Sequence, residues 1–336
     1  MRENIIKLKD IAEILGVSIS TVSRALKDHP DVKPETIRAV KHLAENLHYR
    51  PNTVALSLRS RKSKIIGLIM PEISYFFFPS VLKGIQELTS RLGYNVMILQ
   101  SEESYQKEVD CTETLLASNV DGLIISVSKE TNIFDHFDLA KIAGIPIVFI
   151  DKVPNMYQSD KITIDGEEGA FKAVEHLITE GYSRIAIGLG NPNISITQER
   201  LDGFYRALKK YNMPINEDYM FYSNSIEEAE FHTNKLLGLQ SPPDSIFTIS
   251  DQVVAGTMIA INKKIVKVPE QIAIISFSDE PFCSMFNPPL TSVKPMGYEL
   301  GKESVQLLIK RIENSEVSYI PQNIKIQTEL IVRKST

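Results

Sequence analysis

The sequence predicts a small all-α head built around a helix-turn-helix, followed by an α/β body of two lobes, each a doubly wound parallel sheet. Three observations lead there. The 336 residues suffice for two or three domains at roughly 150 residues each. The charge is split: residues 1–64 carry 13 Lys/Arg against 7 Asp/Glu, a net of +6, which leaves 24 against 35, a net of −11, for the rest. The apolar spacing also changes near Lys64, from helical periodicity to short apolar runs alternating with amphipathic segments.

The net charge of −5 would by itself speak against nucleic acid, but it averages a basic arm and an acidic body. Hydrophobic residues at 43% and charged residues at 24% are a globular mix and exclude extensive disorder. The two cysteines, Cys111 and Cys283, are too few for a disulfide scaffold or a cysteine-rich zinc module. The opening MRENIIKLKD lacks the apolar core of a signal peptide, and no apolar run reaches the ~20 residues of a membrane helix. A cytoplasmic protein is expected.

In the head, residues 1–48, Leu8, Ile11, Ala12 and Leu15 fall at helical spacing, and Gly16 supplies the turn that ends the helix. Ser18 is the expected N-cap of a second helix, with Val22, Ala25 and Leu26 inward and Ile19, Ser20, Thr21, Ser23 and Arg24 on the outer face. A third helix starts at Lys33-Pro34-Glu35, where proline suits the first turn, and its apolar stripe is Ile37, Val40, Leu43, Ala44 and Leu47. Two short helices joined by a tight glycine turn and buttressed by a third form a helix-turn-helix. In that unit the second helix enters the major groove, where hydroxyls and an arginine meet phosphates and base edges.

Residues 49–63 form the linker. Pro51 breaks the preceding helix, and Asn52 is a good N-cap for a short helix that ends in the basic run Arg59, Arg61 and Lys62. A helix of about two turns is marginal alone in water, so it needs DNA or its own copy in a second subunit as a partner. Leu56 and Leu58 would otherwise be exposed.

The body, residues 64–336, reads as two strand-helix series. Strands are expected at 65–70, 95–100, 122–127 and 146–150, then at 161–165, 184–189, 219–223, 245–250 and 272–277, with the chain passing between lobes near Asp151–Lys161. A late strand near 290–295, a helix at 298–313 and a terminal segment at 324–332 complete them. Ligands of such sheets bind beyond the carboxyl ends of the strands. The residues found there are Phe77 and Phe78, Ser126, Asp151, Asp165, the stretch Asn191–Arg200, Ser250-Asp251, and Ser278-Asp279. Carboxylates, serines and an arginine beside aromatic rings suit a polyol. Asp165, Asp251 and Asp279 fit equally well as helix N-caps.

The runs L-K-D-I-A-E-I-L-G-V-S-I-S-T-V-S-R-A-L, V-K-P-E-T and H-Y-R-P-N-T-V-A-L-S-L closely resemble the DNA-binding head and hinge of the LacI/GalR family of bacterial transcription regulators. The resemblance continues to about Val332. It implies a homodimer, sometimes a tetramer, on a pseudo-palindromic double-stranded operator, and a body similar to periplasmic sugar-binding proteins that holds an effector between its lobes. By resemblance, Ile19, Ser20, Thr21 and Arg24 contact the operator, together with Asn52, Ala55, Leu58 and Arg59 of the hinge, where Leu58 wedges into the central minor groove. The effector contacts so implied are Phe77, Phe78, Asp151, Asp165, Arg200, Asp251, Ser278 and Asp279. Leu56 stands where many members have arginine, Ser278 where many have aspartate, and Ile194 and Ile196 where some have polar ligand contacts.

Enzyme chemistry finds little footing. Gly188-Leu189-Gly190 follows a strand, but Asn193 replaces the third glycine of a dinucleotide loop. The histidines at 29, 42, 48, 136, 176 and 232 have no metal-ligand spacing, so neither a catalytic site nor a cofactor or metal is expected. The reading is a ligand-controlled regulator, most simply a repressor, with a sugar or sugar derivative as effector. A purine or nucleoside is the alternative within the family. A cytoplasmic sugar-binding module without DNA function is the alternative outside it. The absence of a leucine heptad after the last strand favours a dimer over a tetramer.

An apolar wedge kinks DNA at a cost of a few kcal/mol, offset by the extra contacts of the bent duplex. Leu58→Ala is therefore expected to weaken binding to a specific DNA site in a mobility-shift titration while ligand binding stays at the wild-type level. Unchanged DNA affinity would remove Leu58 from the interface.

Overall fold

A computed structural model describes residues 6–49, 62–73, 77–154, 157–278, 281–314 and 320–336. They fall into two compact units, Met1–Ser63 and Lys64–Thr336.

In the first unit, α1 (Leu8–Leu15) ends where Gly16 adopts φ 64°, the left-handed conformation that glycine takes without strain. The Ser18 hydroxyl caps α2 (Ile19–Ala25), accepting the Thr21 N–H at 3.1 Å, and Pro34 opens α3 (Pro34–Asn46). Ile11, Ala12, Val22, Ala25, Val40 and Ala44 form the core that joins the three helices. This is the helix-turn-helix that the spacing predicts.

The second unit is two six-stranded sheets with helices on both faces. The strands are β1 (Ile65–Met70), β2 (Asn95–Gln100), β3 (Gly122–Ile125), β4 (Ile147–Ile150), β5 (Asp160–Ile164), β6 (Ile185–Leu189), β7 (Met220–Tyr222), β8 (Ser245–Thr248), β9 (Ala273–Phe277), β10 (Thr291–Lys294), β11 (Asn323–Ile326) and β12 (Glu329–Ile331). The first sheet runs β11-β5-β4-β3-β1-β2, wholly parallel, and the second β12-β10-β9-β8-β6-β7, parallel except for β12 on β10. Strands such as Ile65–Met70, apolar at every position and buried from Ile66 onward, have both faces covered, as parallel sheets require.

The helices are α4 (Phe77–Arg91), α5 (Tyr105–Ala117), α6 (Asp135–Ile142), α7 (Gly166–Thr179), α8 (Ser195–Lys210), α9 (Ile226–Leu236), α10 (Asp251–Lys263) and α11 (Gly297–Glu313). Among the described residues no helix is long and apolar enough to cross a membrane.

The passage between lobes differs from the expected one. β5 does not open the second lobe; it lies in the first sheet between β4 and β11, with Val148 opposite Asp160 and Ile162 opposite Ile324. Its first residue anchors it there. Asp160 is fully buried and accepts from Arg311 of α11 at 2.8 and 2.9 Å and from the Gln322 N–H at 2.8 Å. The chain crosses only after β5, at Asp165, returns between β10 and α11, and crosses a third time between β11 and β12. The terminal segment read as one piece is thus two strands in different lobes. Pairings between strands far apart in sequence leave no local signature.

Close helix contacts stiffen each lobe. In the first, α4 and α11 meet through Gly84 and Gly301; a Cβ at Gly301 would stand 2.2 Å from the Val81 carbonyl oxygen. Backbone cannot yield as a side chain does, so Gly301→Ala is expected to destabilise the body by about 1–3 kcal/mol. A denaturation midpoint unchanged from wild type would contradict this contact.

Candidate functional site

On the head, the N-terminal end of α2 presents a compact polar face. The Ser18 hydroxyl lies 2.7 Å from that of Ser20 and 2.8 Å from that of Thr21, so the residue that caps the helix also orients its neighbours. Ser20 and Arg24 are exposed, Thr21 is half-buried, and Ile19 keeps 49% of its surface. An exposed β-branched residue beside hydroxyls and a guanidinium can offer apolar contact and hydrogen bonds to base edges and phosphates. Asn52, Ala55, Leu58 and Arg59 lie outside the described residues.

In the body, the carboxyl ends of the strands converge on two adjoining cavities that share Asp151, Ile196 and Arg200. One, of about 40 Å³, is further lined by Thr163, Ser195 and Glu199. The other, of about 140 Å³, is bounded by Phe77, Asp251, Phe277, Ser278 and Pro295. Asp151 and Asp251 follow directly on the strands β4 and β8 or their first turn, which is why side chains so distant in sequence meet.

Arg200, in the second turn of α8, is the centre of this arrangement. Its Nη1 donates to the Ile249 carbonyl, and its guanidinium carbon sits 3.7 Å from the centroid of the Phe277 ring. Its Nε is buried and has no hydrogen-bond partner among the described residues. Burial pulls the guanidinium down to about 10, while Asp151, Glu199 and Asp251 act in the opposite direction, so it stays cationic at neutral pH.

Asp151 faces it from the first lobe, on left-handed backbone at φ 58°, and takes the Ser126 hydroxyl at 3.4 Å. Asp151 and Arg200 are half-buried and line both cavities. Burial pushes the Asp151 carboxyl up, and Lys152 and then Arg200 offset part of that rise. Glu199 is likewise pushed up by burial, against Lys325 and Arg200. Ser278, almost fully buried, donates to Asp251.

Not every expected residue joins the group. Asp165 caps α7, accepting the Glu168 N–H at 3.2 Å, and its other oxygen takes Gln327 Nε2 at 3.0 Å. It lines neither cavity and ties two of the lobe crossings together. Phe78 meets Phe77 edge-on at 5.4 Å and packs on the core, leaving Phe77 to face the cavity. Asp279 lies outside the described residues. Glu199 and Phe277 were not singled out from the sequence. Phe277 is the last residue of its strand, so the rule that selected Ser278 reaches it one position earlier. Glu199 falls inside the strand-end stretch Asn191–Arg200, without a signal of its own.

The glycines of the G-x-G run have a packing role: a Cβ at Gly188 would stand 2.6 Å from the Phe221 ring and from Val253. Together, the cavities offer carboxylate and hydroxyl acceptors, one buried cation and aromatic walls. That set can hold a small polar molecule from both lobes at once.

Comparison with known proteins gives a consistent result. Residues 63–334 match the family described as periplasmic binding proteins and sugar binding domain of the LacI family. Residues 7–52 match the bacterial regulatory proteins of the lacI family. The chain is 30% identical over 332 residues to catabolite control protein A of Priestia megaterium, covering 96% of this chain and 98% of that protein. It is 29% identical over 329 residues to the HTH-type transcriptional repressor PurR of Actinobacillus pleuropneumoniae serotype 3 (strain JL03), covering 98% and 97%. The crystal structure of the lac repressor dimer bound to operator and the anti-inducer ONPF superposes with a TM-score of 0.85 at 26% identity, over 98% of each chain.

Proposed function

The chain belongs to the LacI family of bacterial regulatory proteins, and on that footing we propose that it represses transcription as a homodimer on a pseudo-palindromic operator and is released or engaged by a small polyol bound between the lobes of its body. Ile19, Ser20, Thr21 and Arg24 read the operator, and the segment 49–63 acts as hinge, with Leu58 as wedge. The site of action is the cytoplasm, where operator DNA lies.

The observation that carries the ligand half is Arg200. The second lobe holds it on Ile249 and Phe277, yet it faces Asp151 of the first lobe across shared cavities. A molecule hydrogen-bonded to both residues has a different affinity for the lobes apart and together, which is the condition for a ligand to shift a conformational equilibrium. The chain leaves the head linker at Lys64, whose N–H is held by Asp121 in the first lobe at 3.0 Å. Movement of that lobe is therefore transmitted to the point where the linker enters.

A sugar is favoured over a purine by the same geometry. The Arg200 guanidinium lies 3.7 Å from the Phe277 centroid, so one face of that ring is already engaged. Asp151, Asp251 and Ser278 are suited to hydroxyls in several directions.

Arg200→Ala is expected to abolish the thermal shift produced by sugars and the ligand effect on DNA binding, with affinity for a duplex selected from a random pool unchanged. A normal ligand response would remove Arg200 from the site. Removing residues 1–60 should eliminate DNA binding and keep the thermal shift; a shift given by nucleobases alone would favour the purine reading.

A further inference from the structure

The interlobe cleft continues beyond the two inner cavities into a third, of about 390 Å³. It shares Val153 and Ser195 with the 40 Å³ space, so the two abut. Among the described residues, its ionisable lining is Lys129 and Lys152, with no carboxylate. The inner cavities have the opposite character: Asp151, Glu199 and Asp251 line them against the single cation Arg200. Charge is segregated along the cleft, acidic inside and basic outside.

The basic chamber is also braced from behind. Glu103, on left-handed backbone at φ 61°, takes the Lys152 ammonium on one oxygen at 2.5 Å and the Lys129 N–H on the other at 2.8 Å. It neutralises one lysine and aims the segment carrying the other. The Lys129 side chain makes no ion pair among the described residues, is exposed and lines the chamber.

Deeper, the fully buried Glu108 accepts from the Ser128 N–H at 2.6 Å, the Thr131 hydroxyl at 2.9 Å and His136 Nε2 at 3.0 Å. The Ser128 hydroxyl in turn donates to Ser101 at 2.7 Å. A buried carboxylate is costly unless its oxygens are satisfied, and here each of its bonds fixes the wall that carries Lys129. A wall held in place before binding loses less freedom when a ligand arrives.

We propose that the cleft binds a two-ended ligand: an uncharged polyol in the inner cavities, bearing on the same molecule a phosphate or carboxylate that lies between Lys129 and Lys152. The inference rests on the cleft being the ligand site. An anion placed inside would face three carboxylates against one guanidinium, and one placed in the outer chamber meets the Lys129 ammonium, with Lys152, already paired to Glu103, beside it.

Calorimetric titration of the full-length protein with matched sets tests it: glucose, glucose 6-phosphate and gluconate; ribose, ribose 5-phosphate and ribonate. In any set that binds, an anionic member should bind at least about tenfold tighter than the neutral sugar. Lys129→Ala, and Lys129→Gln as a milder change, should cut that preference to about threefold or less and leave the neutral sugar's affinity in place. Phosphate preferred over acid, or the reverse, identifies the anion. A neutral sugar that binds as tightly as its anionic partners, or a preference that survives both substitutions, overturns the inference alone. Binding by no member of either set, with DNA binding intact, overturns the sugar reading of the cleft and this inference together.

Discussion

The body is organised around one constraint: a guanidinium must be kept charged inside it. Removing a cation from water is expensive unless its donors and charge find partners. Arg200 meets that cost with the Ile249 carbonyl, the face of Phe277 and the carboxylates of Asp151, Glu199 and Asp251. Those partners come from the ends of β4, β8 and β9, from α8 and α10, and from both lobes, so the strand order, the start of α8 and the left-handed turn at Asp151 all serve the same point. Its Nε is buried without a hydrogen-bond partner among the described residues. Buried unsatisfied groups are rare in native proteins and cluster where function requires them. Here the donor belongs to a side chain that lines both inner cavities.

Rigid and deformable parts are separated. Within each lobe, parallel strands are covered on both faces, and helix pairs touch through glycines that admit no side chain. Between lobes the chain passes three times, near Asp165, after Lys294 and after Ile326. Short crossings between stiff lobes confine a conformational change to those few residues, as in hinge closure. Asp165 links the first and third crossings through Gln327, which ties those two segments together.

The parts that were legible in the sequence are those whose physics is local. Helical spacing, a glycine turn and a serine cap specify the head, because each acts within one turn of its own position. The rule that ligands meet strand carboxyl ends selected Asp151, Arg200, Asp251 and Ser278, all of which line the inner cavities. It also selected Asp165, where the helix N-cap that competes for aspartate is the geometry observed. The lobe assignment of β5 was not legible, since it depends on pairing with β11, some 160 residues later, and on the buried Asp160–Arg311 pair. The contributions of Phe277 and Glu199 likewise depend on tertiary placement around Arg200. The segregation of charge along the cleft is invisible in a composition that totals −5.

On the proposed function, occupation of the cleft and binding of DNA are two readouts of one equilibrium. Its most direct test is calorimetric titration of the full-length protein with the tightest sugar ligand, alone and saturated with a duplex selected from a random pool. Coupling of about 1–3 kcal/mol predicts a ligand affinity altered between about fivefold and 150-fold by the duplex. Linkage requires the ligand to alter duplex affinity by the same factor. Equal ligand affinities for the free and the DNA-bound protein would contradict the account.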